Sequence, residues 1–394
     1  MSSAHRAGAP DYTRLRAERP FEWYVVAPYT ALLAATGIPI RDHYLDPRVG
    51  IELYRRGRPL VREIFGPDLL FAPVATPHIS YGHINALGVQ LRFPEGGEVN
   101  YERDHRSLPE LIRALEEGTD FSRCGMAPFY LEYLQELRDA FPGEQVQFTF
   151  GAEGPMTTAY ELRDLQVFLD PFDDPPLFQR FLRAVTASIV EYRKFTSRVN
   201  RLPEVSPEGG GICDDVAAMF GPPLWETYVV PSLEHIYRAV TSGKRGAHIE
   251  DLTPEQLRFL EQLGLSSFDP SISPRLDPRI LSRLTRVPFG WRLGSFHYHG
   301  LSEQEVRDFV YQAAADGASS VFSNVCWGML DDGSVRKVRA FIEAARETKR
   351  LLDSGAPRSE LARMVSEGGR RLFWDQWPRP RTAGEAPQER GGAR

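Results

Sequence analysis

Gly211–Pro231 reads GICDDVAAMFGPPLWETYVVP, and past Val240 the chain continues into Ala247-His248-Ile249-Glu250. A short apolar run ends in paired acids, a helical stretch to Val240 follows, and the next apolar run again ends in titratable residues. Strand, helix, strand in that order calls for parallel strands joined by helical crossovers. Toward the N terminus, Val146–Phe150 leads to Gly154-Pro155 and to helices expected near 158–170 and 174–195. Before that, a helix over 49–65 breaks at Gly66-Pro67-Asp68 and gives way to the apolar run Leu69–Val74. Toward the C terminus, a helix near 254–263 precedes Leu265–Phe268, which ends at Asp269. Val287–Phe289 ends at Gly290-Trp291-Arg292, and Ser320–Phe322 ends at Asn324-Val325-Cys326.

These runs make seven candidate strands, and an eighth is expected near 78–93 or in a weakly patterned segment. Alternation alone also permits a doubly wound open sheet. What decides between them is that Glu153, Asp215, His248, Glu250, Asp269, Arg292 and Cys326 all stand at or just after strand ends. In an α/β fold closed as a single (β/α)8 TIM barrel, such positions converge on one mouth. The expected division is an N-terminal segment over 1–44, partly disordered and then helical, a barrel over 45–350, and a C-terminal helix with a disordered tail over 351–394. Tyr24–Ile40, interrupted by Pro28 and Gly37, reads as a core helix and not as a membrane span. The residues through about Arg16 and the tail from Trp377 carry no hydrophobic period.

Composition narrows the function classes. The 394 residues are 42% hydrophobic and 25% charged, enough to build a core without disulfide or metal staples. A net charge of -6 argues against a nucleic-acid binder that neutralises phosphates. Three cysteines, Cys124, Cys213 and Cys326, give no disulfide framework and suit a reducing cytoplasm. Neither a phosphate-binding loop nor a dinucleotide fingerprint occurs, which leaves nucleotide-driven and hydride chemistry without support.

The strand-end residues divide by chemistry. His248 and Glu250, two apart, point to the same side if the strand runs through them. The alternative is that they satisfy backbone groups at a strand end while Cys326 is a small buried hydrophobe. One of Asp214 and Asp215 can cap the helix that follows, whereas the functional reading puts Asp215 in the mouth. Glu153 and Asp269 read as acid/base groups or as partners that orient His248. His78, Arg292 and Asn324 are candidates for substrate binding. His297 and His299 invite a metal reading, but their place after Gly294 favours a loop or helix entry. Cys124 and Cys213 have no partner spacing and read as ordinary thiols.

Five segments in order resemble the uroporphyrinogen decarboxylase superfamily, which includes zinc methyltransferases that use methyl-corrinoid proteins. Gly154-Pro155-Met156-Thr157 resembles its Gly-Pro-Phe-Thr turn, and Asp170–Pro175 its short acidic segment. Gly211–Pro231 is similar to its acidic strand end and helix, and His248-Ile249-Glu250 to the methyltransferases' His-x-Cys strand. Phe322–Cys326 is similar to the strand that bears their last zinc cysteine. The decarboxylase's Arg-Gln-Ala-Gly-Arg stretch has no match near Pro20–Ala34, which sets the chain closer to the methyltransferase branch. Glu250 also stands where that branch has cysteine.

The resemblance implies that His248, Glu250 and Cys326 bind Zn2+ with a fourth position open, a ligand set whose donor types zinc accepts. With Asp215, Glu153 and Asp269 as catalytic groups, the chain would be a zinc-dependent methyltransferase. That enzyme would move a methyl group between a corrinoid protein and a thiol or other small nucleophile. The Asp-x-His-x-x-Gly signature of a corrinoid carrier is absent, so methyl-cobalamin would have to arrive on a separate protein. The alternatives are a metal-assisted decarboxylase or lyase acting on a small carboxylated substrate, and a non-catalytic barrel that binds a tetrapyrrole or corrinoid.

Overall fold

The computed structural model describes residues 10–374. It is an α/β protein built on parallel sheets. Strands β1 (Glu22–Ala27) and β2 (Leu70–Phe71) are followed by β3 (Gly209–Cys213), β4 (Lys244–His248), β5 (Ser267–Asp269), β6 (Gly290–Leu293) and β7 (Ser320–Asn324). One sheet has four strands in the order β2-β1-β7-β6, and a second has three in the order β3-β4-β5. An isolated parallel bridge between Phe268 and Phe289 joins β5 to the approach of β6. Further parallel bridges pair Ala75 with Gln147 and Ile79 with Phe150.

Between residue 151 and β3 the pairing thins to one backbone hydrogen bond, from Gly154 N to Cys213 O at 2.6 Å. Helix α5 (Pro175–Val199) packs across that gap with two neighbouring side chains. Tyr192 donates its hydroxyl to Phe150 O at 2.7 Å, and Arg193 donates to Gly211 O. Side chains thus satisfy carbonyls that a continuous ladder would otherwise take up.

The main departure from expectation lies at the start of the chain. Tyr24–Ile40 is not one helix: β1 occupies Glu22–Ala27, and helix α2 runs over Tyr29–Thr36. Trp23, Tyr24, Val25 and Val26 are aromatic and β-branched residues that suit a pleated strand. Pro28 then cannot extend the ladder and opens the helix. Before β1, helix α1 (Tyr12–Glu18) anchors itself through buried Tyr12, so residues 12–16 are ordered. The tail from Trp377 lies outside the described residues.

The remaining elements follow the sequence more closely. Helix α3 (Pro47–Phe65) fills the expected 49–65, and α4 (Pro155–Arg163) begins directly after Gly154. The strand read at Val287–Phe289 lies slightly later, at β6; helix α6 (Glu303–Ala315) packs on β7, and helix α7 (Asp332–Asp353) packs on β1. No helix among the described residues is long and apolar enough to cross a membrane.

Candidate functional site

Register places the site. Cys213 pairs with His248, and His248 with Asp269, so three adjacent strands end in titratable side chains at one level. His248 Nδ1 lies 2.8 Å from Asp269 Oδ2, which fixes that nitrogen as the donor and turns Nε2 the other way. There Nε2 meets Asp215 Oδ1 at 3.7 Å and Glu250 Oε1 at 3.6 Å. Both distances exceed a direct hydrogen bond. Asp215 is itself held: Oδ1 accepts from Glu250 N at 2.9 Å, and Oδ2 lies 3.9 Å from Cys213 Sγ.

Charge sets the protonation of the site. Burial opposes the His248 cation, but the hydrogen bond to Asp269 and the nearby Glu250 and Asp215 carboxylates outweigh it, and its pKa is pushed up to about 10. The same contact with His248 holds Glu250 below the usual carboxylate range. Burial raises Asp215, against the hydrogen bond from Glu250 N. For Cys213, burial and then the Glu153 and Asp215 carboxylates push the thiol far above its ordinary range.

Among the described residues, Cys213, Asp215 and His248 form the group of metal-ligating side chains whose ligand atoms all lie within 4.8 Å of one another. The expected trio is therefore split. His248 and Glu250 come together, whereas Cys326 is not in this group: it lies two residues beyond the end of β7, in the other sheet, packed against the hydrophobic core. Cys213, read from sequence as an ordinary thiol, takes part instead. The signal that could have found it is its spacing of two from Asp215 at the end of the same strand.

Of the other candidates, Glu153 and Arg292 adjoin this group and the rest lie apart. Asp214, fully buried, accepts from Thr157 N at 2.7 Å and Met156 N at 3.3 Å. It caps α4 from a distance and not the helix that follows it. Glu153, next to Gly154, acts by charge on Cys213, Asp215 and Arg193. Arg292 acts on Glu250 and Tyr24, and its Nε is buried without a hydrogen-bond partner. Asn324 closes β7 opposite Val26, and His78 is exposed beside the Ile79–Phe150 bridge. His297 sits in a single helical turn, His297–Gly300, and accepts from Gly294 N at 3.2 Å.

Below the titratable level lies a cavity of about 520 Å³, lined by Cys213, His248 and Asp269 at one end and by Arg19 and Glu22 at the other. Its walls include Gly211, Gly246, Gly290, Ser267 and Ser320. These small residues leave the space between the strands open.

The uroporphyrinogen decarboxylase (URO-D) family model matches residues 65–348, well over half of the chain. The chain belongs to the uroporphyrinogen decarboxylase family. A methyltransferase from Methanosarcina mazei superposes with a TM-score of 0.59 at 17% identity, over 85% of this chain and 97% of that one, a likeness of fold. The carboxyl transferase domain of Rhizobium etli pyruvate carboxylase aligns over 94% of this chain and 57% of that one at 12% identity. Its TM-score of 0.25 is too low to carry an argument. No curated protein matches.

Proposed function

We propose that this family member is a zinc-dependent methyltransferase acting on a thiol or other small nucleophile, with Cys213, Asp215 and His248 holding the metal. The observation that carries the reading is the arrangement around His248 Nε2. Two carboxylate oxygens face it at 3.6 and 3.7 Å, too far to bond it directly, with a thiol beside them. Donors sharing one tetrahedral zinc ion stand roughly 3.3–3.8 Å apart, given arms of about 2.0–2.3 Å. Imidazole, thiolate and carboxylate together neutralise the divalent charge. Asp269 behind Nδ1 is the carboxylate partner that ligating histidines commonly keep. An ion bound there supplies the Lewis acidity that activates the acceptor.

We further propose that the two sheets are parts of one eight-stranded barrel forming a single domain with the N-terminal strand. The Phe268–Phe289, Ala75–Gln147 and Ile79–Phe150 bridges support this closure. Glu153 and Glu250 then flank the metal ligands, with Glu250 also fixing Asp215 through its backbone N–H. The methyl donor is proposed to be a corrinoid carried on a separate protein. A second reading, a carboxy-lyase, is favoured by the raised pKa of His248, which makes it a proton donor in the metal-free protein.

Metal analysis of protein purified without chelator, followed by incubation with methyl-cobalamin and a panel of thiols, tests the proposal. One zinc per chain is expected in the wild type and in Cys326→Ala, with loss in Cys213→Ala. Loss in Cys326→Ala with retention in Cys213→Ala would return the ligand role to Cys326. A metal-free protein that releases carbon dioxide from small carboxylates would favour the lyase.

A further inference from the structure

Two arginines that the methyl-transfer reading leaves unused line the cavity beneath the site. Arg19, just before β1, donates to Ser266 O at 2.8 Å, and Arg193 reaches from α5 to Gly211 O. Each guanidinium carries five N–H donors. Among the described residues, neither has a carboxylate within salt-bridge distance. Glu22, on the same cavity wall, acts on Arg19 by charge without bonding it and lies 3.6 Å from Lys349 Nζ. Asp269, at the upper end, is engaged by His248. Glu153 likewise acts on Arg193 by charge, but neither guanidinium is bonded directly by a carboxylate, and the lower part of the cavity presents their free N–H donors.

The walls say what else the cavity accepts. Tyr24 and Phe322, register partners on β1 and β7, stack with ring centroids 4.9 Å apart and form an aromatic wall from the four-stranded sheet. The three-stranded sheet contributes Gly211 and Gly246, which project no side chain into the space. Ser266 stands three extended residues before Asp269, roughly 10 Å along the strand axis, and Gly211 two before Cys213, roughly 7 Å. We propose that this cavity binds a small organic carboxylate with a flat apolar body, its carboxylate gripped by Arg19 and Arg193 and its far end presented to Cys213 and His248. This names the substrate class of the proposed site and rests on the methyl-transfer reading only for what happens at the far end. Binding itself needs no metal.

Calorimetric titration of chelator-treated protein at pH 7 with 3-phenylpropanoate, 3-phenylpropanamide and inorganic phosphate tests it. The acid should bind at least about tenfold more tightly than the amide, because a guanidinium fork pairs with a carboxylate and not with a neutral amide. Arg193→Met should erase that preference. Since Arg193 also satisfies Gly211 O, Arg19→Met provides a second variant with the same expected loss. Gly211→Leu should abolish binding of both organic probes while the melting temperature holds, since a Cβ there meets only Gly246 O at 4.0 Å. Equal affinity for acid and amide, no binding of either, phosphate binding as tightly as the acid, or a Gly211→Leu variant that binds normally would each overturn the proposal. Zinc stoichiometry measured on the same preparations reports on the metal reading separately, so one can fail without the other.

Discussion

At the scale of single residues, the site is a histidine whose surroundings decide its proton. His248 is held protonated up to a pH of about 10, and Cys213 is kept as a thiol. If Cys213 and His248 hold zinc as proposed, binding at neutral pH must displace two protons, and apparent zinc affinity should rise about 100-fold per pH unit from pH 7 to 8. Competition with a chromophoric chelator at stepped pH measures that slope. Asp269→Asn removes the carboxylate behind Nδ1 and should bring His248 back toward its ordinary range, flattening the slope toward one proton. Folding of the metal-free chain carries the same linkage with a definite sign. A raised histidine pKa adds stability in full below its unfolded value of about 6.5, and that stability is lost as pH climbs through about 10. Urea midpoints of chelator-treated protein should fall across that window, and His248→Gln should lose most of the fall.

Among elements, the turn Gly154-Pro155 ties one strand end to the next. A Cβ on Gly154 would stand 2.4 Å from Asp214 Cβ and 2.8 Å from Cys213 O, so only glycine lets the two backbones close. Asp214 then caps α4 through Met156 N and Thr157 N, at a cost of burial that raises its pKa to about 7. Gly154→Ala should destabilise the fold by about 2 kcal/mol in urea unfolding, and should weaken zinc binding by displacing Cys213. Asp214→Ala should cost about 1–2 kcal/mol through the lost cap. A Gly154→Ala protein with wild-type stability would refute the close approach. The sequence made part of this legible. Gly-Pro before a helical pattern marked the start of α4, and the acids after Cys213 marked a strand end. It could not tell which aspartate capped what, because the capped helix lies nearly sixty positions upstream. Nor could it show that Cys213 lies beside His248 and Cys326 does not, since that depends on register: Cys213 is the direct pairing partner of His248, and Cys326 follows a strand of the other sheet.

On the scale of the whole molecule, the strand that periodicity missed is the one at the centre of the larger sheet. β1 pairs with β2 on one side and β7 on the other, and Val25 within it is fully buried. The run from Tyr24 to Ile40 is largely apolar on both sides of Pro28, and hydrophobic period cannot separate a buried strand from the buried helix that follows it. Only Pro28 marks the boundary, and one proline serves equally well as a break in a helix or as its first turn. The other strands were legible because a glycine, proline or polar residue bounded each apolar run. If residues before 45 were merely a helical extension, disturbing them would leave the parallel sheets intact. Because β1 bridges β2 and β7, its loss should instead leave two central edges unpaired and remove the aromatic wall that Tyr24 makes with Phe322. Val25→Asp places an unpaired carboxyl at a fully buried position and should cost about 3 kcal/mol or more. Urea unfolding followed by far-ultraviolet circular dichroism measures it. A second variant, Arg14→Ala, alters an exposed ion pair with Glu18 in α1, ahead of the strand, and should change stability by less than about 1 kcal/mol. Similar midpoints for the two variants would mean that β1 does not hold the sheet together, whereas a collapse confined to Val25→Asp places the start of the fold before residue 45.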